Sequence, residues 1–249
     1  VSNDSDTAVS EPSVIEELPP QSGGGEKAHY LGHRARLRQR VLGKGADSLA
    51  DYEIVEFLLF GAQPRGDMKP LAKRLIERFG SLAAVLSAEP GDLAQVSGMG
   101  PSSIAALKIV PEAARRMALA DIRERPVISS WDKLLDYCRV VMGRDKIERF
   151  RLLFLDKKNR LILDEEQQRG TVDHTPVYTR EVMKRALEVG ATALILVHNH
   201  PSGDTTPSKA DIEITLELKS AAEKLGIVIH DHVIISRSNH ASFKALGLI

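Results

Sequence analysis

The chain has 249 residues, 43% of them apolar and 27% charged, with 34 basic side chains balanced by 34 acidic ones. That is the composition of an ordinary folded protein, long enough for one large domain or two modest ones, and it excludes a fibrous or wholly disordered chain. A single cysteine, Cys138, excludes an intramolecular disulfide and a Cys-x-x-Cys metal knuckle, and no apolar run reaches bilayer length. A reducing, cytoplasmic setting with no membrane partner is the expectation.

Residues 1 to 26 carry six acidic side chains and no Lys or Arg, and they close on Gly23-Gly24-Gly25. A stretch so rich in Ser, Pro, Gly and acid buries too little apolar surface to order itself, so residues 1–27 read as a disordered acidic tail, unlike a signal peptide. Residues 28–122 read as a compact all-helical module. The apolar spacing predicts helices around Asp51 to Phe60 (Ile54, Val55, Leu58, Leu59) and Lys69 to Phe79 (Leu71, Leu75, Ile76), punctuated by glycines.

Within that module, Leu93 to Gly100 followed by Ile104 and Leu107 resembles a helix-hairpin-helix. In that motif a Gly-h-Gly turn lets backbone N–H groups approach a DNA phosphate. The sixteen basic against eleven acidic residues between positions 27 and 126 are compatible with a polyanion partner. Gly98, Gly100 and Lys108 are the candidate contacts for non-specific DNA. Pro111 is expected to interrupt the second helix early.

Arg123-Glu124-Arg125-Pro126 lacks an apolar face and ends in proline, which marks a domain boundary, with a second domain over 127–249. There a helix from Trp131 to Met142 precedes a hairpin: a strand at Phe150 to Leu155, the Asp156-Lys157-Lys158-Asn159 turn, and a strand from Leu161. A helix at Arg180 to Glu188 leads to a strand ending at His198. Another, from Ser208 to Leu225, leads to a strand at Ile227 to Ile235. Helices alternating with strands after an antiparallel start predict a mixed sheet flanked by helices, an α/β fold. Cys138 sits in an apolar helical rhythm and is expected to be a buried, inert thiol.

The densest chemistry lies between His198 and Asp211. His198 and His200, at i and i+2 where a buried strand ends, place two imidazoles on one side, able to converge on an ion at roughly 2.0–2.1 Å. Pro201 and Gly203 stop the strand, and Pro207-Ser208 opens a helix whose first turn carries Asp211. Three ligands leave a fourth position for water, as in a catalytic zinc site. Ser208-x-x-Asp211 is also a capping box. One Asp211 carboxylate is not expected to serve both roles fully, and the two imidazoles favour ligation, with Ser208 capping the helix while facing the site. Activated water needs a proton acceptor; Glu165 and Glu166 on the hairpin's second strand are candidates of which only one can face the metal. His230 and His232 are candidate partners of the ligands, and His174 is unassigned.

His198-x-His200-Pro201, with six residues to Ser208 and two more to Asp211, matches in spacing the JAMM motif of JAB/MPN metalloproteases. Together with Gly170-Thr171-Val172-Asp173 and Asp231-His232-Val233-Ile234, the chain resembles the RadC family over about residues 30 to 249. The resemblance implies a cytidine-deaminase-like JAB/MPN domain behind a helix-hairpin-helix module. It also implies one Zn2+ per chain on His198, His200 and Asp211, with Glu166 as general base and Ser208 stabilising the oxyanion. Asn199 departs from the Ser or Thr common between the histidines. The implied activity is hydrolysis of peptide or isopeptide bonds in a protein or peptide substrate. The alternatives are a DNA-binding accessory protein of DNA repair with a vestigial or structural metal, and a metal-dependent nuclease, for which too few carboxylates flank the motif to hold a second ion. A zinc deaminase is disfavoured because its Pro-Cys-x-x-Cys half cannot be built from one cysteine.

Overall fold

The computed structural model describes residues 27–123, 125–169 and 177–249, without the side chains of 27–31, 168 and 169. Positions 1–26, the Gly170 to Asp173 landmark and His174 lie outside the described residues.

Six helices build the first part: α1 (Lys27–Lys44), α2 (Asp51–Ala62), α3 (Lys69–Phe79), α4 (Leu82–Ser87), α5 (Pro90–Ala94) and α6 (Pro101–Arg123). Their apolar stripes meet in one core, where Val55 and Leu59 of α2 pack on Leu71 and Leu75 of α3, with Val85, Leu93 and Leu107 closing it. By contrast α1 buries little beyond Leu37 and is held by polar contacts. Arg34 donates to the carbonyls of Gln63, Pro64 and Gly66, while Arg40 pairs with Glu53 at 2.7 Å.

Pro111 does not interrupt α6 as the sequence predicts; the helix continues to Arg123. The physical reason lies in its ends. Leu107 is sealed in the helical core, and Ile122 is sealed in the core of the sheet that follows, so packing on both sides outweighs the one backbone bond that proline removes. The sequence break at Arg123 to Pro126 is thus bridged by apolar contact, since Ala118 and Leu119 also pack against the second core.

That second core surrounds a five-stranded mixed sheet, flanked by α7 (Trp131–Met142), α8 (Thr179–Glu188) and α9 (Lys209–Lys224). The strands are β1 (Arg149–Leu155), β2 (Leu161–Arg169), β3 (Ala193–Asn199), β4 (Val228–Ile235) and β5 (His240–Ser242), in the order β2-β1-β3-β4-β5. Only β3 and β4 run parallel; the other neighbours are antiparallel. Period-two alternation splits the strands between two faces. Phe150, Leu152, Phe154, Leu194 and Leu196 face α8 and α9, whereas Leu153, Leu155, Ile195 and Val197 face α7 and the end of α6. Each fully buried Leu or Phe there contributes roughly 1.5–3 kcal/mol of transfer free energy. The result is the expected helix-sheet-helix sandwich behind a helical module. Among the described residues, no helix is long and apolar enough to cross a membrane.

Two pairings position the site. Because β1 runs antiparallel to β3, the start of β1 lies beside the C-terminal end of β3, with Phe150 opposite His198. Because β3 and β4 are parallel, Leu196 and His232 are partners on the face that α9 covers.

Candidate metal centre

His198 is the sixth residue of β3 and is 1% exposed, so its ring is fixed by the sheet. His200 continues the strand by one bond, its N–H donating to Ile235 O at 3.0 Å, and the chain then turns at Gly203 with φ +90°. Only a residue without a Cβ adopts that angle freely. The His200 carbonyl accepts from Gly203, and the Asp204 carboxylate accepts from both the amide and hydroxyl of Thr206, so the turn is internally bonded before α9 begins.

Ser208 caps α9. Its Oγ accepts from the Asp211 amide at 3.1 Å, and its own N–H donates to Asp211 Oδ2 at 2.8 Å. Asp211 nevertheless reaches the histidines, with Oδ1 3.3 Å from His198 Nε2 and Oδ2 3.6 Å from His200 Nε2. The expected conflict between capping and ligation is therefore absent: the carboxylate has two oxygens and about four lone-pair directions, enough for both. Since capping uses a lone pair of Ser208, its hydroxyl proton is left for another acceptor.

A fourth side chain joins these. One donor atom from each of Glu148, His198, His200 and Asp211 lies within 4.8 Å of the others. Glu148 stands immediately before β1, two residues ahead of Phe150, and so on the His198 face of the sheet. The sequence reading missed it. The available signal was the alternation Glu148, Phe150, Leu152, Phe154, one acid at the head of a buried stripe, but its meaning depends on the pairing of β1 with β3.

Glu166, the expected general base, is not in this group among the described residues. It pairs with Arg151 across β1 and β2, and Arg151 shares the face of Leu153, opposite that of His198. Its Oε2 lies 3.1 Å from Arg151 and 3.3 Å from Arg149. Glu165 turns to the other face and meets Arg185 at 2.9 Å. Register parity, not composition, removes Glu166 from the donors.

Electrostatics agree with a cation-binding pocket. Burial pushes the Asp211 carboxyl upward, but His198 and His200, which can donate to it whenever their Nε2 atoms carry a proton, outweigh burial and hold the group well below the ordinary carboxylate range. The same contact with Asp211 raises His200. His232, fully buried beneath His198, is held well below the usual imidazole value, first by desolvation and then by the proximity of the His198 ring. Its ring stacks on Phe243 at 4.4 Å and lies 2.7 Å from His198 Nδ1. His230 is no part of this: its Nε2 donates to Asn159 Oδ1 of the hairpin turn at 2.7 Å.

The donor set fits a divalent ion. His200 Nδ1 must donate to the Asp204 carbonyl, 2.6 Å away, because a carbonyl only accepts, so the neutral ring presents a bare Nε2. That lone pair faces His198 Nε2 at 2.9 Å, beside a carboxylate. Electron-rich atoms so close are what a shared cation relieves.

The helical module places its candidate residues differently. Gly98, at φ +94°, makes the turn before α6, and its carbonyl accepts from Gln63; the Ser97 carbonyl accepts from Arg74. A Cβ added at Gly100 would meet no atom within 4 Å. The Lys108 ammonium donates to Leu86 O and Ala88 O, both at 3.0 Å, at the end of α4.

A family model described as the RadC-like JAB domain matches residues 128–248, the sheet and its flanking helices. The chain is also 56% identical over 213 residues to a UPF0758 protein of Rhodobacter capsulatus, an alignment covering 86% of this chain and all of that protein. With the helical module, the mixed five-stranded sheet and the Glu, His, His, Asp group all in place, the chain belongs to the RadC (UPF0758) family.

Proposed function

We propose that the protein is a zinc-dependent hydrolase of peptide or isopeptide bonds, with His198, His200 and Asp211 as metal ligands and Glu148 as general base. The observation that carries this is the convergence of Glu148, at the entry to β1, on the His-His-Asp group. Two imidazoles and one carboxylate suit zinc, which at catalytic sites takes three protein donors and keeps one position open. A bound ion supplies Lewis acidity towards a water and the scissile carbonyl. Glu148 takes the proton of the attacking water and returns it to the departing nitrogen. Ser208 donates its remaining O–H to the oxygen on which charge develops. Phe150, its ring stacked 6.1 Å from that of His198, packs the ligand against the apolar core.

The same proximity supports a second reading, in which Glu148 is a fourth ligand and the ion is structural. Glu148→Gln separates them. A general-base variant keeps one equivalent of zinc and loses wild-type-specific cleavages in N-terminal peptide profiling of cell lysates. A variant that loses its zinc supports the structural reading.

A further inference from the structure

Behind the donor group a chain of hydrogen bonds leaves one ligand and returns to another. His198 Nδ1 lies 2.7 Å from His232 Nε2, His232 Nδ1 lies 2.6 Å from Thr215 Oγ1, and Thr215 Oγ1 lies 2.5 Å from the carbonyl oxygen of Asp211. The first two links are buried and the third is part-buried; His198 is 1% exposed while Thr215 and His232 are 0% exposed.

The polarity of each link fixes the next. A carbonyl only accepts, so Thr215 gives its single proton to Asp211 O. Thr215 Oγ1 must then accept from His232, which puts that ring's proton on Nδ1. A ring sealed from water is neutral and has one N–H, so His232 Nε2 is a bare acceptor. That acceptor draws the His198 proton to Nδ1. What remains on His198 Nε2 is a lone pair, directed at His200 and Asp211.

We infer that Thr215 and His232 are positioning residues that set the tautomer and aim of His198 and thereby the affinity of the site for divalent zinc. This rests on the reading of His198, His200 and Asp211 as ligands. The relay begins on the main chain of one ligand and ends on the ring of another, so it joins α9, β4 and β3 behind the site. His200 does not use it, being oriented separately by the Asp204 carbonyl. The competing explanation is purely structural: a threonine hydroxyl bonding back one helical turn, and a histidine packed on Phe243. That explanation makes Thr215 matter for stability and leaves zinc affinity unchanged.

The test uses the full chain, zinc alone as the probe and a chromophoric chelator as competitor. Thr215→Val keeps the shape and removes the hydroxyl; Thr215→Ala removes it without risk of overpacking. Both lower zinc affinity by about 10- to 100-fold, the usual effect of losing a partner that orients a ligand, while Thr215→Ser stays near wild type. In metal-free protein, imidazole nitrogen-15 shifts place the His198 proton on Nδ1 in the wild type and on a mixture of nitrogens in Thr215→Val. Wild-type affinity and an unaltered His198 tautomer in both hydroxyl-free variants overturn the relay. His198→Ala is the control for the site itself: if it still binds zinc as wild type does, the ligand assignment fails, whereas loss of zinc there with none in the Thr215 variants defeats only the relay.

Discussion

Asn199 grips the backbone on both sides of Glu148. Its Nδ2 donates to Ile147 O at 3.1 Å and its Oδ1 accepts from Arg149 N at 2.8 Å. Asn199 stands between the two histidines in sequence and, by strand alternation, points away from them. The His-Asn-His run therefore orients two imidazoles on one face and the Glu148 segment through the other. A Ser or Thr at this position is too short to reach both groups in the same way.

Replacing Asn199 with Ala leaves a part-buried carbonyl and a part-buried N–H without that partner, a cost of at most about 1–3 kcal/mol for each group because water reaches them in part. The expected outcome is a folded but less stable protein that keeps its zinc equivalent and loses turnover, because only the Glu148 segment has been released. Metal analysis beside thermal unfolding checks this; loss of zinc with retained turnover contradicts it.

The two cores are joined through α6. Ile122→Ala removes a side chain that is 0% exposed in the sheet core, although it lies in the helical part of the sequence. Unfolding free energy is expected to fall by about 2–5 kcal/mol, with amide protection lost in α7 and β1 as well as in α6. Loss confined to the helical module runs against the interlocked arrangement.

Cys138 is 3% exposed and packed in the sheet core, and burial pushes its thiol well above the ordinary range. The thiolate is the reactive form, so the native protein should resist aromatic disulfide reagents at mildly alkaline pH and titrate its single thiol only after denaturation. Rapid native labelling goes against this packing.

Acid should loosen α1. Burial pushes the Glu53 carboxyl up, but the hydrogen bonds from Arg40 and the Ala50 amide win and leave it below its usual 4.5. A carboxyl lowered in the folded state adds stability above its unfolded value and loses it as the pH falls through the folded one. The protection of α1 amides, taken relative to their intrinsic exchange at each pH, is thus expected to fall below pH 4.5 in the wild type. In Glu53→Gln the same region should be weaker at neutral pH, with a smaller acid response. Identical pH profiles for the two proteins would remove Arg40 and Glu53 as the fastening of α1.

What the sequence makes legible follows from the range of each signal. Lys69–Phe79 and Trp131–Met142 carry strong helical periodicity, and the predicted limits match the observed ones. The ligand run from His198 to Asp211 is local too, so its spacing alone brings three donors near one another. Non-local pairing is not legible in that way. Nothing in residues 145 to 150 says that β1 will lie against β3, and without that fact Glu148 is one acid among many, while Glu166 looks better placed than it is. β5 escaped for a related reason: three residues, His240-Ala241-Ser242, form a strand only because β4 offers an edge. Pro111 misled because its cost is local and the packing that overrides it, at Leu107 and Ile122, belongs to two different cores.

The most direct measurement is an anomalous diffraction map at the zinc edge from crystals of the full chain grown with one equivalent of zinc. One strong peak is expected at roughly 2.0–2.2 Å from His198 Nε2, His200 Nε2 and an Asp211 oxygen, with the Glu148 carboxylate beside it and unbonded to it. A peak bonded to Glu148 as fourth ligand, or none between the two histidines, would contradict this arrangement.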